Sequence, residues 1–313
     1  MKRFCVAACV LVLASLNSCL LASASPSKGG EGKVRDSMIV SVDWLSRHIN
    51  DRSIVLLQIG EKAEYDAAHI LGAQFIQTSD ISTPRGQGLA LELPPVAQLK
   101  ATFEKLGVTD KSRIVIYFSK DWVTPTARVY LTLDYLGLGD RTSILDGGLP
   151  AWRAAGNAVT SEAKAATVGS FTPHPKANLI VDAAWVAQNL KNPDVAILDA
   201  RAAKFYTGAE VGQMPRGGHI PGARNIPFSS LVEDSTNKFK SPDALRELFS
   251  AARVKPSDKV ATYCHIGQQA SLLYFVARYL GYEAHLYDGS FEDWSRRSDL
   301  PVEKSEAQTN VKP

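Results

Sequence analysis

Val260-Ala261-Thr262-Tyr263-Cys264 is followed by His265-Ile266-Gly267-Gln268-Gln269, and then by Ala270 to Leu280, where Leu272, Leu273, Phe275, Val276, Tyr279 and Leu280 recur at helical spacing. The first five residues read as a short buried strand, the next five as a turn and the rest as a helix. Nearby segments continue the alternation: Val195 to Leu198 reads as a strand, Pro242 to Ala252 as a helix and Ala284 to Tyr287 as a strand. Strands alternating with helices predict an α/β fold, a parallel sheet flanked by helices on both faces. Ligands on such sheets sit beyond the carboxyl ends of the strands. Cys264 stands at such an end.

A thiol placed there has a physical reason to react. N–H groups of the turn and the positive end of the following helix both point toward the sulfur and favour thiolate over thiol. The competing reading is a small apolar core residue, the common fate of a lone cysteine.

The other three cysteines fall in the amino-terminal segment. Lys2 and Arg3 make a basic start, Phe4 to Leu16 is apolar and uncharged, and Ala22-Ser23-Ala24 offers a small-residue cleavage site. This reads as a secretory signal over residues 1–24, too short for a membrane span. Leu16-Asn17-Ser18-Cys19 also resembles a bacterial lipobox, so cleavage before a lipid-bearing Cys19 and ordinary cleavage after Ala24 both stay open. Either route predicts an exported protein, in the bacterial periplasm, that touches membrane only through lipid on Cys19. In an oxidising compartment an unpaired cysteine is a reactive thiol or an intermolecular partner.

With 313 residues, 45% hydrophobic and 21% charged, the chain has room for two ordinary domains. The formal charge of +3 includes the basic start. No basic patch points to nucleic acid as a partner.

The chain repeats itself. Leu145-Asp146-Gly147-Gly148-Leu149-Pro150-Ala151-Trp152 returns as Tyr287-Asp288-Gly289-Ser290-Phe291-Glu292-Asp293-Trp294. His69-Ile70-Leu71-Gly72-Ala73 returns as His219-Ile220-Pro221-Gly222-Ala223, and Ile114 to Phe118 as Val260 to Cys264. The order is kept while the spacing drifts by loop-sized amounts, so one domain is present twice, over residues 35–156 and 179–304. Residues 157–178, rich in Ala, Thr and Ser with Pro173 and Pro175, read as the linker, and 305–313 as a polar tail.

Three of these stretches resemble the signatures of the tandem-domain rhodaneses, a family of sulfurtransferases. His219-Ile220-Pro221-Gly222-Ala223-Arg224-Asn225-Ile226-Pro227 is similar to the first signature and Asp288 to Trp294 to the second. Cys264 to Gln269 is similar to the six-residue active-site loop. The resemblance implies two tandem rhodanese-like domains and a two-step displacement. The Cys264 thiolate takes the outer sulfur of a donor such as thiosulfate as a persulfide, and an acceptor such as cyanide or a thiol then removes it. It implies no metal and no organic cofactor, and small-molecule partners only; oligomeric state is left open. Ile266, Gly267, Gln268 and Gln269 would form the loop, and Gly267 permits a tight turn around the sulfur.

The family places an anion-binding arginine at Arg201, with a salt bridge to a nearby carboxylate as the alternative role. His265 would bind substrate by adding positive charge beside the sulfur, or point into solvent. His219, Asp288 and Trp294 are expected to be structural, because His69 matches His219 in a copy with no nucleophile. That first copy has Phe118 in place of Cys264 and Gly60 in place of Arg201, and is expected to be catalytically silent. It would form one wall of a cleft over Cys264. Trp122 or Lys120, on a longer loop that ends in a helix resuming near Ala127, would reach the cleft or simply lie on the surface.

The loop lacks the basic residues that follow the cysteine in many thiosulfate-using members and the Gly-Ser-Gly of mercaptopyruvate enzymes. Thiosulfate is the preferred donor; a 3-mercaptopyruvate sulfurtransferase and a non-catalytic exported sulfur carrier are the alternatives. Phosphatases of this fold need an arginine six residues beyond the cysteine, where this chain has Ala270.

Overall fold

The structure is a computed structural model that describes Met1 and residues 33–84, 86–120 and 123–305. The signal segment, Cys19, Trp122 and nearly all of the polar tail therefore lie outside the described residues.

The first copy runs β1 (Ile39–Val40), α1 (Val42–His48), β2 (Ile54–Ile59), α2 (Lys62–Ala67), β3 (Gln74–Ile76), α3 (Val96–Lys105), β4 (Arg113–Phe118), α4 (Thr124–Tyr135), β5 (Thr142–Leu145) and α5 (Gly148–Ala154). The second repeats this as β6 (Ile180–Val181), α6 (Ala183–Asn189), β7 (Val195–Asp199), α7 (Ala203–Thr207), β8 (Arg224–Asn225), α8 (Pro242–Ala251), β9 (Lys259–Tyr263), α9 (Gln268–Tyr279), β10 (Ala284–Tyr287) and α10 (Ser290–Arg296). Each copy forms a five-stranded parallel sheet, in the orders β1-β5-β4-β2-β3 and β6-β10-β9-β7-β8. This is the expected α/β architecture.

Alternating strand residues bury both faces of each sheet. Ile114, Ile116 and Phe118 of β4 face a core shared by the two copies, while Val115 and Tyr117 face an outer core of the first copy alone. Ala196 and Leu198 of β7 join the shared core, and Val195 and Ile197 an outer one. Between the sheets α4 lies against α9, with Tyr130 edge-on to Phe275 at 4.7 Å. A helix covered on all sides buries its polar residues too, and these must find partners. Asp134 of α4 accepts from the Tyr274 hydroxyl at 2.7 Å and pairs with Arg278 of α9 at 3.2 Å and with Lys176 at 2.5 Å.

Two helix starts differ from the sequence reading. Helix α9 begins at Gln268, so Gln268 and Gln269 belong to its first turn, because Gly267 (φ +89°) turns the chain into it. Helix α4 starts at Thr124, three residues before Ala127, with Pro125 in its first turn where the missing N–H costs nothing.

Candidate active site

Cys264 follows the last residue of β9, which is flanked by β7 and β10 at the middle of its sheet. The backbone of Cys264 is held by the start of α10. Its own N–H donates to Ser290 Oγ at 3.2 Å, and its carbonyl accepts from Phe291 N–H at 3.0 Å. The His265 carbonyl accepts from Glu292 N–H at 3.0 Å, so the first turn of α10 pins the start of the loop. Ahead of the sulfur the Gly267 N–H donates to Sγ at 3.2 Å.

Cys264 exposes only 1% of its surface. Burial pushes its thiol above the ordinary value, while N–H groups of Ala270, Ile266, Gly267 and Gln269 work in the opposite direction. The turn N–H groups were expected to favour thiolate over thiol; here burial outweighs them, and they serve the anion when it forms.

Arg201, 2% exposed, forks onto Asp199: Nε meets Oδ1 at 3.0 Å and Oδ2 at 3.1 Å, and Nη2 meets Oδ2 at 2.6 Å. Nη2 also donates to the Gly218 carbonyl at 2.7 Å, and the guanidinium lies 4.1 Å from the Phe291 ring centre. Burial disfavours its charge, but Asp199 more than compensates and raises its pKa, with Cys264 among the smaller contributors. The salt bridge foreseen for Arg201 is present, and the charge stands near enough to the sulfur to be felt there.

His265 differs from both of its expected roles. It is half-buried with its ring edge-on to Phe205 at 4.7 Å, and burial, then the Arg201 charge, lower its pKa to about 4. It is neutral at neutral pH and supplies no positive charge to a donor. Ile266 is half-buried beside it, and Gln268 Nε2 reaches Thr124 Oγ1 of the first copy at 3.4 Å.

His219 and His69 hold matching turns. Nδ1 of each meets a tyrosine carbonyl at 2.8 Å, Tyr206 or Tyr65, and each ring stacks on that tyrosine. The Trp294 indole donates to the Pro301 carbonyl at 2.8 Å.

The first copy differs at the positions that match the site. Strand registers place Gln58 where the second copy has Asp199, and both polar atoms of the Gln58 amide are buried without partners. Gly60 follows in place of Arg201, and Lys120 and Ser119 both bond Glu64. The Phe118 ring fills the space of the thiol, so closely that a Cβ on Gly148 would stand 2.7 Å from it. In the second copy that glycine is Ser290, a non-glycine residue at φ +52°. Sequence reasoning missed Ser290; comparing Gly147-Gly148 with Gly289-Ser290 was the available signal.

One interdomain space lies away from the cysteine. A crevice of about 870 Å³ between the domains is walled by Leu93 and Pro94 of the first and Trp185, Asp288 and Gly289 of the second, and Cys264 is not among its walls.

Comparison with known proteins agrees with the duplicated fold. The model of the rhodanese-like domain matches twice, over residues 41–155 and 182–297, one match on each sheet. A probable 3-mercaptopyruvate sulfurtransferase of Pseudomonas aeruginosa is 35% identical over 243 residues, covering 76% of this chain and 85% of that protein. The sulfur carrier protein TtuD of Thermus thermophilus is 29% identical over 294 residues, covering 88% and 99%. A putative thiosulfate sulfurtransferase of Mycobacterium bovis is 28% identical over 286 residues, covering 86% and 98%. With its fold duplicated and both halves matched, the chain belongs to the rhodanese family and is a tandem-domain sulfurtransferase.

Proposed function

We propose that the protein moves a sulfane sulfur from thiosulfate to a thiophilic acceptor through a persulfide on Cys264. In the first step the Cys264 thiolate attacks the outer sulfur of thiosulfate. A bond forms between Sγ and that sulfur, the sulfur–sulfur bond of the donor breaks, and its electron pair leaves with sulfite. In the second step cyanide or a thiolate attacks the outer persulfide sulfur, and the Cys264 thiolate departs with the electron pair of the broken bond.

The observation that carries this reading is the Gly267 N–H aimed at Sγ at 3.2 Å, backed by N–H groups of Ile266, Gln269 and Ala270. Donors fixed in place before charge develops are the main resource of such sites. Arg201 contributes the field of a permanent cation, and its forked grip on Asp199 keeps that cation in place. With 1% of the cysteine exposed, a small donor such as thiosulfate suits the site better than a bulky one.

The test is thiocyanate formation from thiosulfate and cyanide by the reduced, mature protein, run in parallel with 3-mercaptopyruvate. Turnover on thiosulfate that vanishes in Cys264→Ser supports the reading. Turnover on 3-mercaptopyruvate alone replaces the donor, and a persulfide without turnover on either makes the protein a carrier. The basic, apolar and small-residue blocks of residues 1–24 support export; recovery of the full-length protein in the cytoplasmic fraction of its host would contradict it.

A further inference from the structure

The domain boundary holds two carboxylates at equivalent places, Asp146 after β5 and Asp288 after β10. Each accepts one backbone N–H from the opposite domain, Asp146 from Phe239 at 2.9 Å and Asp288 from Leu93 at 3.0 Å. The symmetry then breaks. Arg128 of α4, fully buried, donates from Nη1 to Asp288 Oδ1 at 2.7 Å and from Nη2 to the Leu91 carbonyl. In α9, whose twelve residues match those of α4, the same place is held by Leu272. The guanidinium is thus present on the side of the boundary that carries the cysteine loop.

Such an arginine is costly. Its Nε is buried with no partner, and a buried ion pair repays its desolvation only with favourable geometry. What it touches suggests what it is for. A Cβ built on Gly267 would stand 3.1 Å from Arg128 Nη1, 3.2 Å from Asp288 Oδ1 and 3.3 Å from the Asp288 carbonyl. The ion pair is therefore the wall behind the corner whose N–H meets the sulfur.

We infer that Arg128 is a positioning residue for sulfur transfer: the silent domain uses it to press Asp288 against Gly267, so that the Gly267 N–H stays aimed at Cys264 Sγ. The inference rests on Cys264 being the nucleophile. It also assigns the first domain a task that its lost cysteine does not reveal, completion of the sulfur cradle of the second.

The test uses the mature protein and two readouts, turnover of thiosulfate with cyanide and the pH profile of Cys264 alkylation by iodoacetamide. Arg128→Met with Asp288→Asn removes both charges together and leaves no lone buried ion. The folded double variant is expected to lose about tenfold or more in kcat, as small misplacements of reacting groups do, with a smaller change in KM for thiosulfate. Its alkylation profile is expected to move to higher pH. Should the double variant not fold, Arg128→Lys, which keeps the cation without the planar fork, carries the same two readouts and the same expectations. A folded variant with wild-type kcat and wild-type alkylation profile overturns the inference, whatever its melting temperature. Alkylation reads the cradle without any turnover. A wild type that neither turns over nor gains sulfur on Cys264 with thiosulfate or 3-mercaptopyruvate therefore sinks the nucleophile reading separately from the role of Arg128.

Discussion

Replacing Gly267 by alanine probes the cradle most sharply. The residue sits at φ +89°, where an L side chain costs about 1–2 kcal/mol. The new methyl would also meet Arg128 Nη1, Asp288 Oδ1 and the Asp288 carbonyl at 3.1–3.3 Å. All three are fixed by the ion pair or by backbone, so a further 1–3 kcal/mol or so of overpacking is expected. Together these make Gly267→Ala destabilising by about 2–5 kcal/mol, read as a shift of the urea midpoint at constant m value. Gly72→Ala is the control, since Gly72 has nearly the same φ (+82°) with nothing within 4 Å of its Cβ position. It is expected to cost only the conformational part, about 1–2 kcal/mol. Function should separate the two further. Turning the Gly267 N–H off Sγ removes a hydrogen bond to a developing anion worth about 1.5–3 kcal/mol, or roughly 10–150-fold in thiosulfate turnover, while Gly72→Ala leaves turnover intact. Equal effects of the two substitutions on stability and on turnover would refute the reasoning.

Other outcomes follow from the same geometry. Because burial raises the Cys264 thiol, its alkylation rate should keep climbing with pH beyond the ordinary thiol midpoint; a plateau reached below pH 8 or so would contradict this. His265, with its pKa lowered to about 4, binds its proton less readily folded than unfolded, so it contributes stability that is present above pH 6.5 and lost as pH falls toward 4. His265→Gln should flatten the stability profile in that window by about 1–3 kcal/mol, measured by urea unfolding at several pH values. Ser290→Gly relieves a left-handed strain of about 1–2 kcal/mol but leaves the Cys264 N–H without its partner, at a similar cost. Its melting temperature should change little while turnover falls, and an unchanged turnover would show that Ser290 does not shape the loop.

The alternating strands and helices were legible because the β-branched and apolar runs at Val195–Leu198, Val260–Tyr263 and Ala284–Tyr287 stand apart from helices of clear period. The duplication made the sheet of the first copy follow from that of the second. Cys264 and its loop could be read from a single strand–turn–helix segment, since the argument needs only neighbours in sequence. The properties that were not legible depend on distant chain. His265 is neutral because Phe205 covers it and Arg201 stands nearby, and neither relation shows in local sequence. The commitment of Arg201 to Asp199 was visible as an alternative two residues away, but its choice of partner required the Gly218 carbonyl as well. Arg128 and Asp288 are 160 residues apart and in different domains, so no spacing within either copy pairs them.

The central claim is that Cys264 receives the sulfur. Intact mass spectrometry of the mature protein after thiosulfate treatment, alongside turnover with cyanide, measures it directly. A gain of one sulfur atom that cyanide removes as thiocyanate, and that Cys264→Ser does not acquire, is the predicted result. A folded, reduced wild type that turns over thiosulfate without gaining sulfur on Cys264, or a Cys264→Ser variant that still turns over, would contradict it.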